Sequence, residues 1–374
     1  MTALPLPSVQ PTSVVRCREE EILVSVPPHA NAAASSDLLI DSSRSRSGWS
    51  RIGSAFRCRQ LYAWQEVAGY SLIPADALTA GSMGHTAAAH YFARIGCEQG
   101  GVVVGDTFFG PHDRDRLLEP EAAIEAWVAK EKRGADLVAM VVEAWCRYRA
   151  KNPEPPGRIL AVETQVEATL GTAETKRGPE WGLWLTGAAP ELLGDRTLPS
   201  LVEITPLDCP NHPRHGQPIR LTRRLDLVFR SDWGDVFVYD HKFVSTVNPD
   251  SAKHSYGMDG GFRSQAILAS QAWPAFAGVF ANLIGKWNPW RSEPVPIPRS
   301  LWREARFARN LFDVEHEVAR LEVETWAGER DASEWPAADE ETTCTGRYAG
   351  GCRAYRLCFG GPEGAGYRGS DENR

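Results

Sequence analysis

Two short segments joined by a tight turn constrain this chain more than any other feature. Arg224 to Arg230 alternates, with Leu225, Leu227 and Phe229 on one side and Arg224, Asp226, Val228 and Arg230 on the other, the period of a strand. Ser231-Asp232-Trp233-Gly234 supplies the turn, and Asp235 to Lys242 resumes the strand. Residues two apart on a strand share a face, so Asp240 and Lys242 project together, and pairing across Gly234 brings Asp226 to the same side. Two carboxylates beside an ammonium at a sheet edge suit Mg²⁺ or Mn²⁺, hard cations that prefer oxygen ligands. Such an ion polarises a scissile phosphate and acidifies an attacking water, while the lysine stabilises charge developing on phosphorus. An Asp-x-Lys spacing also describes a solvated pair at a strand end, so this reading needs support from elsewhere in the chain.

Three other residues offer that support. His85 lies in Gly81-Ser82-Met83-Gly84-His85, at the start of a helix that the spacing of Ala87, Ala88, Tyr91 and Phe92 predicts over Met83 to Ile95. Glu163 closes Ala161-Val162-Glu163 at the end of a buried strand. Gln265 opens a helix over about Phe262 to Ala272, where it can orient a phosphate or the lysine.

The eight cysteines add a second signal. Cys344, Cys352 and Cys358 form a C-x7-C-x5-C cluster in a Gly- and Arg-rich tail with little to bury, which packing explains poorly. Three thiolates require a fourth partner, and Cys58, flanked by Arg57 and Arg59, is the best candidate. Four thiolates suit a [4Fe–4S] cluster or structural zinc, and spacing does not separate the two. Cys97 and Cys146 lie in apolar helical contexts and read as core thiols. Cys209, His212 and His215 form a C-x2-H-x2-H without a second half-site.

In a chain of 374 residues, 43% hydrophobic and 24% charged, wholesale disorder is excluded. Residues 1–48 read as a loosely ordered arm, residues 49–330 as the main domain with a helical insertion at about 115–152, and residues 331–374 as a Cys-rich tail. Helices are expected from Pro120, from Ala135 to Arg149 and from Trp302 to Trp326. Ile159 to Leu170 is β-like in its first half, and a Gly- and Pro-rich stretch follows to Gln217. The longest apolar run, Ala272 to Gly285, is too short to cross a bilayer and contains Pro274 and Asn282. No secretory leader is read before Arg16, so a soluble cytoplasmic protein is the expectation. The net charge of −7 argues against coating nucleic acid by bulk electrostatics, but allows a local basic groove around an acidic metal site.

Taken in order, these pieces resemble the RecB-like branch of the PD-(D/E)XK nucleases. The resemblance is to the iron–sulfur group of CRISPR-associated exonucleases, their phage homologues and AddB-type helicase-nucleases. It covers about residues 53 to 358: Cys58-Arg59-Gln60-Leu61-Tyr62, Gly81 to His85, Val162-Glu163, Arg223-Arg224-Leu225-Asp226, Asp240-His241-Lys242, Gln265 and the three C-terminal cysteines. The family usually has a glycine where Arg223 stands, and the tyrosine four residues after the glutamine is Ala269 here. The resemblance implies an α/β, restriction-endonuclease-like fold, a mixed β-sheet flanked by helices with a C-terminal iron–sulfur staple. It implies Mg²⁺ or Mn²⁺ on His85, Asp226 and Asp240, with the His241 carbonyl as a further ligand. Lys242 would be the catalytic lysine, Glu163 and Gln265 supporting residues, and Cys58, Cys344, Cys352 and Cys358 the [4Fe–4S] ligands. The implied activity is a DNA exonuclease acting on single-stranded ends. Arg220, Arg223, Arg224, Arg57 and Arg59 are candidate phosphate contacts, and Trp181, Trp184, Trp233, Trp287 and Trp290 candidate stacking platforms. Recombination, replication or CRISPR-type proteins would be its partners. The competing reading is a non-catalytic DNA- or partner-binding module with the same fold.

Overall fold

The structure is a computed structural model that describes residues 48–69, 76–193, 197–286 and 291–337, together with 16–17, 22–23, 40 and 358. The reading of residues 1–48 as an arm lies outside these apart from a short antiparallel pair, Arg16–Cys17 with Ile22–Leu23, Ile40, which packs against the core, and Gly48, which bridges to Thr222. Most of the Cys-rich tail, with Cys344 and Cys352, also lies outside them.

The remaining strands form one mixed sheet. In chain order they are β1 (Val102–Val104), β2 (Thr107–Phe109), β3 (Arg158–Thr175), β4 (Gly178–Gly187), β5 (Leu201–Ile204), β6 (Arg220–Arg230), β7 (Val236–Val244), β8 (Phe276–Gly285) and β9 (Ser292–Pro296). The spatial order is β9-β8-β7-β6-β3-β1-β2, and β4 and β5 pair with β3. β7 runs parallel to β8 and β1 parallel to β3, whereas β6 is antiparallel to both β3 and β7. The main helices are α1 (Trp49–Arg57), α2 (Asp76–Glu98), α3 (Pro120–Glu131), α4 (Val138–Lys151), α5 (Pro249–Met258), α6 (Gly260–Ala272) and α7 (Leu301–Trp326).

Two cores result. Met83, Phe92, Ile124, Trp145, Leu227, Phe229 and Phe243 join α2, α3 and α4 to the sheet. Ile52, Leu225, Val228, Val238, Leu268, Phe307 and Leu311 join α1, α6 and α7 to it. The helices expected from Pro120 and over Ala135 to Arg149 are α3 and α4, and both pack directly on α2. Cys97 and Cys146 are buried in the first of these cores, as their apolar contexts imply. Among the described residues no helix is long and apolar enough to cross a membrane.

The structure adds to the sequence reading at three places and corrects it at a fourth. The Gly- and Pro-rich stretch up to Gln217 is not plain loop. It contains β4, β5 and a turn of helix at Pro190–Leu193, because β3 runs on to Thr175 and offers its second half for pairing. The apolar run ending at Gly285 contains β8, which puts Val279, Ala281 and Leu283 into one core and Ile284 into the other and so is apolar on both faces. α5 was not expected; Asn248 caps it by accepting from the Ser251 amide, and Pro249 occupies its first turn.

The correction concerns the alternation read over Arg224 to Arg230. Leu227 and Phe229 enter the core beneath α2, as one face, but Leu225 packs with Val228 in the opposite core. The phase changes at Asp226. On the partner strand β3, Val162 lies in the α2 core and Val166 in the other, although both numbers are even. Between them Glu163 adopts φ 48°, the left-handed region that non-glycine residues avoid. A left-handed residue in a strand turns its successors over, as a bulge does.

Candidate metal centre

That double change of phase builds the site. Val162 pairs with Leu227 and Thr164 with Leu225, so Glu163 and Asp226 face each other across the kink. The β6–β7 ladder ends at the Leu227–Tyr239 pair, one step short of Asp226 and Asp240. Beyond it the Asp226 carboxylate replaces a ladder bond by accepting from the His241 amide at 2.9 Å. The two strands thus separate where their acids stand.

α2 brings His85 over this gap. Its Nδ1 lies 3.1 Å from Asp226 Oδ2. Close approach depends on Gly84, where a Cβ would fall 2.1 Å from Cε2 of Phe243 on β7, whereas at Gly81 a Cβ would meet nothing within 4 Å. One ligand atom from each of His85, Glu163 and Asp226 lies within 4.8 Å of the others. Among the described residues this is the one group of His, Cys, Asp and Glu with that geometry.

Asp240 stands on the α6 side. It accepts from the Lys242 ammonium and, at 2.8 Å, from Nε2 of Gln265, which is itself completely buried. The Lys242 Nζ also lies 5.4 Å from the ring centre of Phe262. Arg223 and Arg224 point to different acids: Arg223 to Asp240 at 4.0 Å and Arg224 to Glu163 at 3.9 Å. The Nε of Arg223 and the Oε1 of Gln265 are buried without a hydrogen-bond partner.

The electrostatics are those of a crowded, buried acidic site. Burial, then the charge of Asp226, pushes the Glu163 carboxyl up to about 8. Burial opposes ionisation of Asp226 too, but His85 and Lys242 hold it well below the usual carboxylate range. Burial would depress the His85 imidazole, yet Asp226 and Glu163 raise it to about 9, so a protonated histidine stands where a metal ion would neutralise the acids. Lys242 is likewise held above its ordinary value by Asp240 and Asp226 against burial. An imidazole nitrogen and carboxylate oxygens converging at this range form a donor set suited to Mg²⁺ or Mn²⁺.

All the residues expected at the site therefore gather there: His85, Glu163, Asp226, Asp240, His241, Lys242 and Gln265. Glu163, expected only as support, lies closer to the His85–Asp226 pair than Asp240 does by the 4.8 Å grouping. Sequence reasoning passed over Phe262 and Asn282. Asn282 Nδ2 lies 2.9 Å from the His241 Nδ1 and 2.9 Å from the Tyr148 hydroxyl, and Phe92 stacks on the His241 ring at 5.4 Å. A single amide inside an otherwise apolar strand was the available signal. Burial pushes the His241 imidazole down to about 3, so it is neutral and packs as part of the α2 core.

Other expectations separate. Arg59 donates to Glu317 of α7 at 2.9 Å and to a backbone carbonyl, an anchoring role instead of a phosphate contact. Arg220 pairs with Glu167 at 3.4 Å. Trp233 is 90% exposed in the β6–β7 turn, Trp181 donates to Thr205, and Trp287 and Trp290 lie outside the described residues. His212 and His215 serve the loop they sit in: His212 meets Glu322 at 2.9 Å and His215 accepts from the Cys209 amide at 3.2 Å. Cys58 is buried and caps a turn of helix by accepting from the Leu61 amide, and Cys358 packs against the same core cluster.

No protein-family model and no curated protein sequence matches this chain, so the functional reading rests on its own residues.

Proposed function

We propose that this chain is a metal-dependent DNA nuclease of the PD-(D/E)XK type, RecB-like, that trims single-stranded DNA ends. The observation that carries the reading is the convergence of His85, Glu163 and Asp226 beside the Asp240–Lys242–Gln265 group, at the point where β6 and β7 part. The mixed sheet flanked by helices would then be a restriction-endonuclease-like core.

His85, Asp226 and Asp240 would hold Mg²⁺ or Mn²⁺, with the His241 carbonyl and Glu163 completing the oxygen shell. The bound ion would polarise the scissile phosphate and lower the pKa of the attacking water. Lys242, fixed by Asp240, presents a permanent positive charge to the phosphoryl oxygens as negative charge grows on them. Gln265 holds Asp240 in one orientation, and the His241 amide does the same for Asp226. Arg223 and Arg224 add two more positive charges beside Asp240 and Glu163, which a polyanionic strand approaching an acidic protein needs.

The cysteines are a second metal site in this reading, a [4Fe–4S] cluster on Cys58, Cys344, Cys352 and Cys358. Burial of Cys58 and packing of Cys358 on the same core support it, since a cluster there would fix the tail to α1.

The test is an anaerobic assay on end-labelled single- and double-stranded DNA with Mn²⁺ or Mg²⁺. Wild type should degrade the single strand, Asp240→Ala should be inactive, and Lys242→Ala should lose about 10²–10³ in kcat. Iron and sulfide in equal amounts should accompany the active protein, and zinc in their place would remove the cluster from the proposal. Equal activity in all three proteins would sink the site, and an iron-loaded wild type that binds DNA without cutting it would point to a binding module.

A further inference from the structure

We propose that Thr164 is a positioning residue for the metal centre: its hydroxyl, bonded to the turn between β1 and β2, holds Glu163 in the left-handed conformation that brings its carboxylate to His85 and Asp226. The inference rests on the metal centre of the nuclease reading and names what keeps one of its ligands in place.

A regular strand would not carry Glu163 there. Ala161 faces the core of α1, α6 and α7, and in unbroken extended backbone Glu163 would follow it onto that face two residues later. Glu163 instead turns at φ 48° and shares a 4.8 Å group with His85 of α2 and with Asp226. A glutamate in the left-handed region is strained, and such a residue persists only where its surroundings over-determine it.

On one edge of β3 those surroundings are β6, which pairs with Val162 and Thr164 on either side of the kink. The other edge is different. There the β1 ladder stops at Val162 and the β4 ladder starts at Glu167, so among the described residues no strand pairs with Glu163 to Val166 on that edge. Gly105 closes the interval. Its amide donates to the Val162 carbonyl at 3.0 Å, and its carbonyl accepts from the Thr164 hydroxyl at 2.9 Å. One residue thus grips β3 immediately before and immediately after Glu163.

The two ends of this clamp are built for it. Gly105 has φ 60°, and a Cβ there would meet nothing within 4 Å, so conformation and not space asks for glycine. Thr164 is completely buried, where a hydroxyl needs a partner and the Gly105 carbonyl supplies it. Loss of that bond would free the chain after Glu163 to relax toward extended backbone and draw the carboxylate off the centre. Outer contacts that fix the orientation of a ligand tune metal affinity strongly.

The test follows Mn²⁺ binding by the full chain through the paramagnetic resonance signal of the free ion, which requires no cleavage. Thr164→Val, close in shape but without the hydroxyl, should weaken Mn²⁺ binding by about 10- to 100-fold. Thr164→Ser should restore most of the affinity. Beside Glu163→Gln, Thr164→Val should cause little further loss, because its effect is exerted through the Glu163 carboxylate. Thr169→Val is the structural comparison. Its buried hydroxyl meets that of Thr186 on β4 at 3.0 Å, further along the same strand, and its removal should leave Mn²⁺ affinity unchanged. Should Thr164→Val not fold, Thr164→Ala removes the same hydroxyl with a smaller side chain and is read in the same way. Equal affinity in wild type and Thr164→Val overturns the inference, as does a loss that persists in full beside Glu163→Gln or is matched by Thr169→Val. Those results leave the nuclease reading standing. Mn²⁺ bound by a wild type that cleaves no DNA removes the nuclease reading alone, and the affinities still decide the role of Thr164. Absence of Mn²⁺ binding by wild type removes the metal centre and the inference together.

Discussion

His85 Nδ1 and Asp226 Oδ2 are 3.1 Å apart, a pair formed by a helix and a strand 141 positions away in sequence, and that contact decides how the centre responds to both protons and metal. Three consequences can be measured at the centre, and a fourth in the core behind it.

Metal binding should release protons. His85 is held protonated up to about 9 and Glu163 up to about 8, and both must lose a proton to act as ligands. Titration calorimetry with Mn²⁺ at pH 7.5, in two buffers of different ionisation enthalpy, should show release of about one to two protons per ion. His85→Ala should lower that number by about one. Affinity should climb as pH rises toward 9. A buffer-independent heat for wild type would show that neither group is a ligand.

Glu163→Gln should stabilise the metal-free protein. The folded-state pKa of Glu163 is raised from 4.5 to about 8, so the acid favours folding below 4.5 and loses that contribution as pH rises through 8. At pH 8 in EDTA the glutamine variant should therefore melt above wild type. Mn²⁺ should raise the wild-type Tm and narrow or reverse the gap, because it neutralises a charge that the amide lacks. An identical order with and without metal would place Glu163 outside the coordination shell.

Gly84→Ala should displace α2 from β7. The added methyl would lie 2.1 Å from the Phe243 ring, and overpacking of this kind costs about 1–3 kcal/mol. Since His85 is the next residue, Mn²⁺ affinity should fall with stability. Phe243→Leu in the same chain should recover part of both, a coupling readable as a double-mutant cycle in urea unfolding. Gly81→Ala is the contrast: space is open there, and the substitution should be neutral or slightly stabilising.

His90 should make the fold acid-sensitive. It is completely buried on α2, and burial with Arg94 nearby lowers its pKa from 6.5 to about 4. Its Nδ1 accepts from the Leu118 amide at 3.2 Å, a bond that protonation abolishes. The folded state binds the proton more weakly than the unfolded state does. Stability from this group is therefore complete above 6.5 and declines by about 3 kcal/mol as pH falls to 4. His90→Asn keeps an acceptor without titrating, so its deficit in urea midpoint relative to wild type should shrink between pH 7 and pH 5. A constant deficit would mean that His90 is not the responsible group.

The site was legible in the sequence because its parts are local patterns. Asp240 and Lys242 share a strand face by the period of two, and the turn at Ser231 to Gly234 fixes which acid stands near them. Gly84-His85 and Gln265 fall on helices whose apolar spacing is plain. Cys97 and Cys146 were readable as core for the same reason. None of this needed knowledge of which strands are neighbours.

What the tertiary structure alone decided is whatever depends on a partner distant in sequence. β4 and β5 exist because β3 continues to Thr175 and supplies unpaired backbone groups, a demand that overrides the turn propensity of a Gly- and Pro-rich stretch. The phase change at Asp226 depends on Glu163 standing opposite at φ 48°, so alternation within β6 could not reveal it. The same holds for the buried network in which Arg51 meets Glu315, Tyr62 donates to Glu322 and His212 closes on that acid, tying α1 and a loop to α7. Periodicity records which face of an element avoids water, so the sequence determined the chemical groups and their local presentation. Pairing between strands is a long-range choice, made by the backbone's need for hydrogen bonds and by packing, and it decided that these groups meet.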